Sequence, residues 1–487
     1  MKTGTLPNLN RDVIIMRKTK IVCTIGPATD NDDVLRQMMQ AGMNVARFNF
    51  SHGSYAEHEQ RFRQVVRVRE ELGLPVATML DTKDPEVRLR RFADDKPVEI
   101  KDGDTYTLTT QDVPCTAEVG SITFARLPQD VSPGTRILIN DGAVELVAEK
   151  VTRTDIVCRI IHGGKLSNNK GINVPGVRLS MPYLSDADMS DLEFGAKMGY
   201  DFIAASFVRS AADINYLRRF TESLGWFDVR IIAKIENIDG VQNIDEILEA
   251  ADGIMVARGD MGVEIPFEKI PAIQKELIRK GYGAGKQVIT ATQMLESMIT
   301  HARPTRAEIT DVANAIYDGT SAVMLSGETA AGQFPVEVVR TMELIASTTE
   351  GNIDYKHEFD TRKEGDVTVA EGIAHAAVTT AHDLNAKAII AVTKRGQTAR
   401  LISKFRPAVP IVGCTTDAAN QRKMNMSWGV TPLVIDEETN TDSLFAKAVD
   451  AVKKAGLVKE GDIVIITAGV PLGISGMTNL MKVEIVK

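Results

Sequence analysis

Ile231-Ile232-Ala233-Lys234-Ile235-Glu236-Asn237 is an apolar run that turns polar at its carboxyl end. Asp252-Gly253-Ile254-Met255-Val256-Ala257-Arg258-Gly259-Asp260 repeats the pattern after a short helical stretch. The two-residue period of a strand puts Lys234 and Glu236 on one face. An ammonium and a carboxylate then point the same way, and Asp260 at the next strand's end adds a second carboxylate. Two hard oxygen ligands beside a fixed positive charge suit Mg2+ and a phosphoryl group. A structural ion pair would account for Lys234 and Glu236 taken alone; their surroundings favour the functional reading.

The same pattern occurs eight times, at about Lys20 to Ile25, Asn44 to Asn49, Val76 to Lys83, Phe202 to Val208, Arg230 to Glu236, Gly253 to Ala257, Gln287 to Thr292 and Ala322 to Ser326. Runs of helical period follow most of these strands, among them Ala56 to Leu72, Asp186 to Lys197 and Ile270 to Tyr282. The fold class expected is α/β, a (β/α)8 TIM barrel. In such a barrel the polar tails at the carboxyl ends meet at one mouth, so Arg47 to His52, Asp81 to Lys83, Lys234, Glu236, Asp260 and Thr292 converge.

One connection breaks the alternation. Between Lys83 and about Tyr183 the chain reads as short β segments, with Asn140-Asp141-Gly142 as a hairpin signal. An inserted β-barrel lid domain fits, placed to close over the mouth and exclude water. After Gly351 a polar stretch from Asp354 to Asp366 reads as a linker, and strands alternating with helices beyond it read as an open α/β sheet. The expected division is an N-terminal extension at 1–16, a barrel at 17–84 and 183–351, a lid at 85–182 and a C-terminal effector domain at 352–487.

At 487 residues with 44% hydrophobic content the chain can build several cores, and its formal net charge of -8 argues against a general affinity for nucleic acid or anionic membrane. Cys23, Cys115, Cys158 and Cys414 are scattered without a C-x-x-C pair, which fits buried thiols in a reducing cytoplasm. No apolar stretch approaches a membrane span, and Met1 to Ile15 lacks the core of a signal peptide. Gly281-Tyr282-Gly283-Ala284-Gly285-Lys286 follows a helix and enters a strand, the reverse of a phosphate loop, so it reads as a helix stop.

Arg47-Phe48-Asn49-Phe50-Ser51-His52-Gly53, Leu80-Asp81-Thr82-Lys83, Ile235-Glu236-Asn237, Met255 to Pro266, Ala291 to Met298 and Met324-Leu325-Ser326-Gly327-Glu328-Thr329 resemble, in order, the signature segments of the pyruvate kinase family. The resemblance implies phosphoryl transfer from phosphoenolpyruvate to ADP, a homotetramer in the cytoplasm, and dependence on Mg2+ (or Mn2+) and K+. It assigns Glu236 and Asp260 to the divalent ion, Lys234 to charge stabilisation and Arg47 to a second clamp. Asn49, Ser51, Asp81 and Thr82 would bind K+, and Asn49, His52, Arg88 and Lys170 the nucleotide. Ala257, Arg258, Gly259, Asp260 and Thr292 would contact the substrate, with Thr292 in a water relay that protonates the enolate.

The chain departs from the family at Asp84, where glycine is usual, which bears on lid closure and nucleotide affinity. Glu86 stands where glutamate goes with a monovalent-cation requirement. Thr393-Lys394-Arg395-Gly396-Gln397-Thr398 leaves a strand and enters a helix, so its N–H groups, hydroxyls and cations could surround a phosphate. It resembles the family's effector loop and implies a phosphorylated allosteric effector. Two other classes stay open at this stage: another barrel enzyme of phosphoenolpyruvate chemistry, which would need neither Arg88 nor Lys170, and a metabolite sensor, which would need no Lys234, Glu236, Asp260 and Thr292.

Overall fold

A computed structural model describes residues 17–83, 87–140, 142–361, 368–472 and 477–487. The extension expected at 1–16, Asp84, Glu86, Asp141 of the expected hairpin turn, and positions 362–367 and 473–476 lie outside the described residues.

Eight strands close into a barrel in chain order: Lys20–Thr24, Val45–Asn49, Ala77–Asp81, Phe202–Ala205, Arg230–Ile235, Gly253–Ala257, Gln287–Ala291 and Ala322–Leu325. Their pairing is parallel, with Phe202 opposite both Met79 and Arg230, and Gly253 opposite Ile232 and Gln287. Strands such as Ala77–Asp81 and Gly253–Ala257 are buried at every residue because a barrel strand has side chains on one face and helices on the other. The expected barrel is what forms. Two of its strands stop two or more residues earlier than their composition suggests. The fourth ends at Ala205 and not Val208, because Phe207 turns the chain with φ of 49°; the third ends at Asp81 and not Lys83.

Local chemistry explains the helices. Asp186–Met198 starts in a capping box between Ser185 and Asp188 and ends at Gly199, whose φ of 76° suits a residue without Cβ. The chain divides into two compact units, one of which comprises Arg47–Arg63 and Thr78–Gln293 and so contains both the inserted strands and most of the barrel's polar tails.

The inserted segment forms a seven-stranded sheet and a separate two-stranded sheet. Its core is closed by Tyr106, Leu108, Ile137, Ile139, Leu146 and Ile156, all fully buried. A short helix, Leu127–Asp130, interrupts the strands. The C-terminal sheet runs Val430–Val434, Ile411–Thr415, Ala388–Val392, Ile463–Ala468 and Leu480–Ile485 in spatial order, the last strand antiparallel.

The polar stretch read as a linker begins as a helix, Tyr355–Thr361. Tyr355 and Phe359 stand one turn apart and are buried, and Phe359 stacks on His375 with ring centroids 4.8 Å apart. Two aromatic anchors outweigh a charged composition. The four cysteines are free and buried. Among the described residues no helix is long and apolar enough to cross a membrane.

Candidate active site

The third and fifth barrel strands bring their polar tails together as the alternation predicts. Asp81 accepts from Arg47 Nε at 2.5 Å and from Lys234 Nζ at 3.1 Å, and Lys234 Nζ reaches Glu236 Oε1 at 3.0 Å. The result is a row of alternating charge, Arg47, Asp81, Lys234 and Glu236, with exposures of 8%, 0%, 5% and 0%. Removing four charged groups from water is costly unless they compensate one another. They do so here: burial alone would raise the Asp81 pKa, but Arg47 and Lys234 outweigh it and hold the carboxyl below its usual range.

Two residues that sequence reasoning passed over complete this row. Lys234 Nζ donates to Ser206 Oγ at 2.8 Å, and Phe207 N–H donates to Glu236 Oε2 at 2.5 Å. Ser206-Phe207 is itself the polar tail of the fourth strand, so the rule that singles out Lys234 was sufficient to find it.

The loop after the second strand folds over the third. Phe50 N–H donates to Asp81 O at 3.0 Å, and Asn49 Oδ1 accepts from Ser51 N–H at 3.1 Å. Thr82 Oγ1 accepts from Ser206 N–H at 3.0 Å. Asn49 and Ser51 thus flank the residue that bonds the Asp81 main chain, and Thr82 is bonded to Ser206.

Asp260 sits in the first turn of the short helix Arg258–Glu264, directly after the sixth strand. Among the described residues no three or more His, Cys, Asp and Glu side chains cluster to hold a metal ion. The candidate divalent site thus rests on two carboxylates, Glu236 and Asp260, a donor set that suits an ion sharing its remaining positions with water and substrate oxygens. Arg258 turns away from such a role: its guanidinium donates to Thr292 O at 2.6 Å and Ala291 O at 3.2 Å. That grip holds Thr292 and Gln293 at φ of 66° and 53°, a conformation rare for a β-branched residue such as Thr292. Thr292 Oγ1 accepts from Gly259 N–H at 2.9 Å and donates to Ala291 O at 2.7 Å.

These segments recur together in known proteins. The sequence model described as "Pyruvate kinase, barrel domain" matches residues 16–339, and "Pyruvate kinase, alpha/beta domain" matches 371–484. The chain belongs to the pyruvate kinase family. The pyruvate kinase of Geobacillus stearothermophilus is 49% identical over 96% of this chain and 80% of its own length. That of Clostridium acetobutylicum is 45% identical over 97% and 100%. A crystal structure of a pyruvate kinase from Cryptosporidium parvum superposes with a TM-score of 0.91 at 40% identity, covering 97% of this chain and 96% of that one. Membership makes the chain a metal-dependent phosphotransferase.

In the inserted segment Arg88 ends the strand Val87–Arg88, and Lys170 directly precedes the strand Gly171–Asn173 that pairs with it, Arg88 standing opposite Gly171. Arg88 Nη1 donates to Asn169 O at 2.9 Å; Arg88 is exposed and Lys170 half-buried. His52 is exposed, and its carbonyl is bonded to the His58 ring at 2.8 Å.

A cavity of about 170 Å³ lies beside the mouth, lined by Val87, Ile172, Tyr183, Phe207, Asn237 and Glu264 among others. Burial, and then the nearby Asp239, push the Glu264 carboxyl up to about 7. Nothing in the sequence around Glu264 signals this, because the lining comes from segments distant in the chain.

In the C-terminal domain Thr393, Lys394, Gln397 and Thr398 line a cavity of about 110 Å³, while Arg395 and Gly396 do not. Gly396, at φ of 78°, turns the chain into the helix Gln397–Lys404. Thr398 Oγ1 lies 2.7 Å from Thr478 Oγ1. Glu437 and Glu438 stand on the same cavity.

Proposed function

We propose that the chain transfers the phosphoryl group of phosphoenolpyruvate to ADP, giving pyruvate and ATP, with the buried row Arg47, Asp81, Lys234 and Glu236 at the centre of the reaction. That row carries the reading. Phosphoryl transfer asks for positioning and charge neutralisation more than for covalent help. Fixed, water-excluded charges supply both. Lys234 stabilises the charge that develops on the transferring group and on the enolate left behind, and Arg47 is a second clamp. Glu236 and Asp260 would hold Mg2+ or Mn2+, which when bound acts as a Lewis acid on the phosphoryl oxygens.

Asn49, Ser51, Asp81 and Thr82 are assigned to K+, which their hard oxygens suit. Asn49, His52, Arg88 and Lys170 are assigned to the nucleotide phosphates. The backbone from Ala257 to Asp260 holds the substrate carboxylate; Arg258 serves there through its main chain, since its guanidinium is committed to the seventh strand. Thr292 belongs to a water relay toward the enolate, because a hydroxyl is a weak acid by itself. Three domains, with a lid at 85–182 that closes over the barrel and a C-terminal domain at 352–487 that receives a phosphorylated effector on Thr393 to Thr398, complete the reading. So do a homotetramer and a cytoplasmic setting.

The test is direct. Pyruvate should form from phosphoenolpyruvate and ADP only with Mg2+ or Mn2+ present, and replacing K+ by a large organic cation should nearly silence the reaction. No pyruvate under any of these conditions would remove the assignment.

A further inference from the structure

Ser206 and Phe207 follow the fourth barrel strand and grip the two functional groups of the fifth. The Lys234 ammonium donates to Ser206 Oγ at 2.8 Å, while Phe207 N–H holds Glu236 Oε2 at 2.5 Å. A serine hydroxyl has one hydrogen. Here that hydrogen goes to Thr82 O at 2.9 Å, so the oxygen facing Lys234 is fixed as an acceptor. Ser206 N–H to Thr82 Oγ1 at 3.0 Å secures the residue from its other side, and Ser206 is only 3% exposed.

Around Lys234 Nζ stand Asp81 Oδ1 at 3.1 Å and Ser206 Oγ at 2.8 Å, which accept hydrogen bonds from it, and Glu236 Oε1 at ion-pair distance, 3.0 Å. An ammonium has three N–H donors to aim. The two carboxylates orient the ammonium but also cancel its charge. Ser206, the nearest of the three and a neutral one, orients it without doing so.

We propose that Ser206 is the positioning residue of Lys234: it sets the direction of the ammonium while leaving its charge for the transferring phosphoryl group. This rests on the role given to Lys234 above. The competing account is a plain brace between the third and fourth strand ends, and a double-mutant cycle separates the two.

Ser206→Ala should lower kcat about tenfold, the loss expected when one hydrogen bond to a charged group goes, with the phosphoenolpyruvate dissociation constant within twofold of wild type. Ser206→Thr, which keeps the hydroxyl, should recover most of the rate. In single-turnover experiments on Lys234→Met, adding Ser206→Ala should change the residual rate by less than twofold. The proposal is overturned if Ser206→Ala leaves kcat unchanged, or if it costs the same factor with and without Lys234. It also fails if Ser206→Thr is as slow as Ser206→Ala while both unfold at lower temperature. A Lys234→Met enzyme that keeps its activity would instead overturn the role of Lys234 itself, and the single variant reads that separately.

Discussion

The barrel mouth and the C-terminal cavity are both candidate phosphate sites, and they are built in opposite ways. At the mouth Arg47, Asp81, Lys234 and Glu236 are almost wholly buried and bonded to one another. In the C-terminal cavity Lys394, Gln397 and Glu437 are exposed, and buried Thr398 is tied to Thr478. Charges fixed in a dry site act on a transition state without reorganisation. Exposed groups on a loop gain order from the ligand and return it as coupling. On the proposed reading, one site serves the chemistry and the other a change of population.

Breaking the mouth should give the largest effect. Lys234→Met is expected to lower kcat about 10³-fold while phosphoenolpyruvate binding changes only a few-fold, because the lost charge matters most where negative charge develops. Stopped-flow ATP formation and equilibrium titration measure the two. Activity within a few-fold of wild type would sink the comparison.

Thr292→Val sharpens it by separating two steps. Protonation of the enolate should slow about a hundredfold, and phosphoryl transfer much less, as expected for a group in a proton relay. ATP should then form in a burst ahead of pyruvate. Equal slowing of both products would take Thr292 off the proton path, leaving it as the strained end of the seventh strand.

Glu264 tests how burial beside the mouth is balanced. Its folded pKa, about 7, lies above the ordinary 4.5, so the folded protein retains a proton that the unfolded chain has lost. Stability therefore falls as pH rises from 4.5 to 7 and stays at the lower level above. Glu264→Gln should match wild type near pH 4.5 and exceed it at pH 8 by about 3 kcal/mol. Denaturant titrations at the two pH values check this; an equal difference at both would mean that ionisation is not the cause.

Periodicity made the barrel legible because each strand and its helix declare themselves within about thirty residues. Lys234, Glu236 and Asp81 were legible for the same reason, as tails at strand ends. The Ser206 contact was in reach of that rule and was passed over because serine carries no charge to draw notice. Left-handed Phe207 and Thr292 were not legible, since neither is a residue type that seeks positive φ. The helix at Tyr355–Thr361 was hidden by charge on its exposed face, and its two aromatic anchors count only once the core that receives them exists. Glu264 needed three-dimensional packing throughout.

The smallest effect belongs to the C-terminal cavity, where the comparison predicts coupling without a loss of basal rate. Lys394 brings a cation to the cavity, and Thr393, Gln397 and Thr398 line it at a helix start, the chemistry that receives one phosphate. Glu437 and Glu438 oppose further negative charge on the same cavity, so a sugar phosphate or nucleoside monophosphate is the class to titrate. Such a ligand should lower the half-saturating phosphoenolpyruvate concentration about fivefold, a coupling of about 1 kcal/mol. The double variant Lys394→Ala with Thr398→Ala should lose that shift and keep the wild-type curve measured without effector. Because coupling is reciprocal, phosphoenolpyruvate should tighten effector binding by the same factor, which calorimetry reads without turnover. If no phosphate moves either curve, or the double variant responds as wild type does, the loop is an ordinary strand-to-helix turn, and threonine stands there because helix starts favour it.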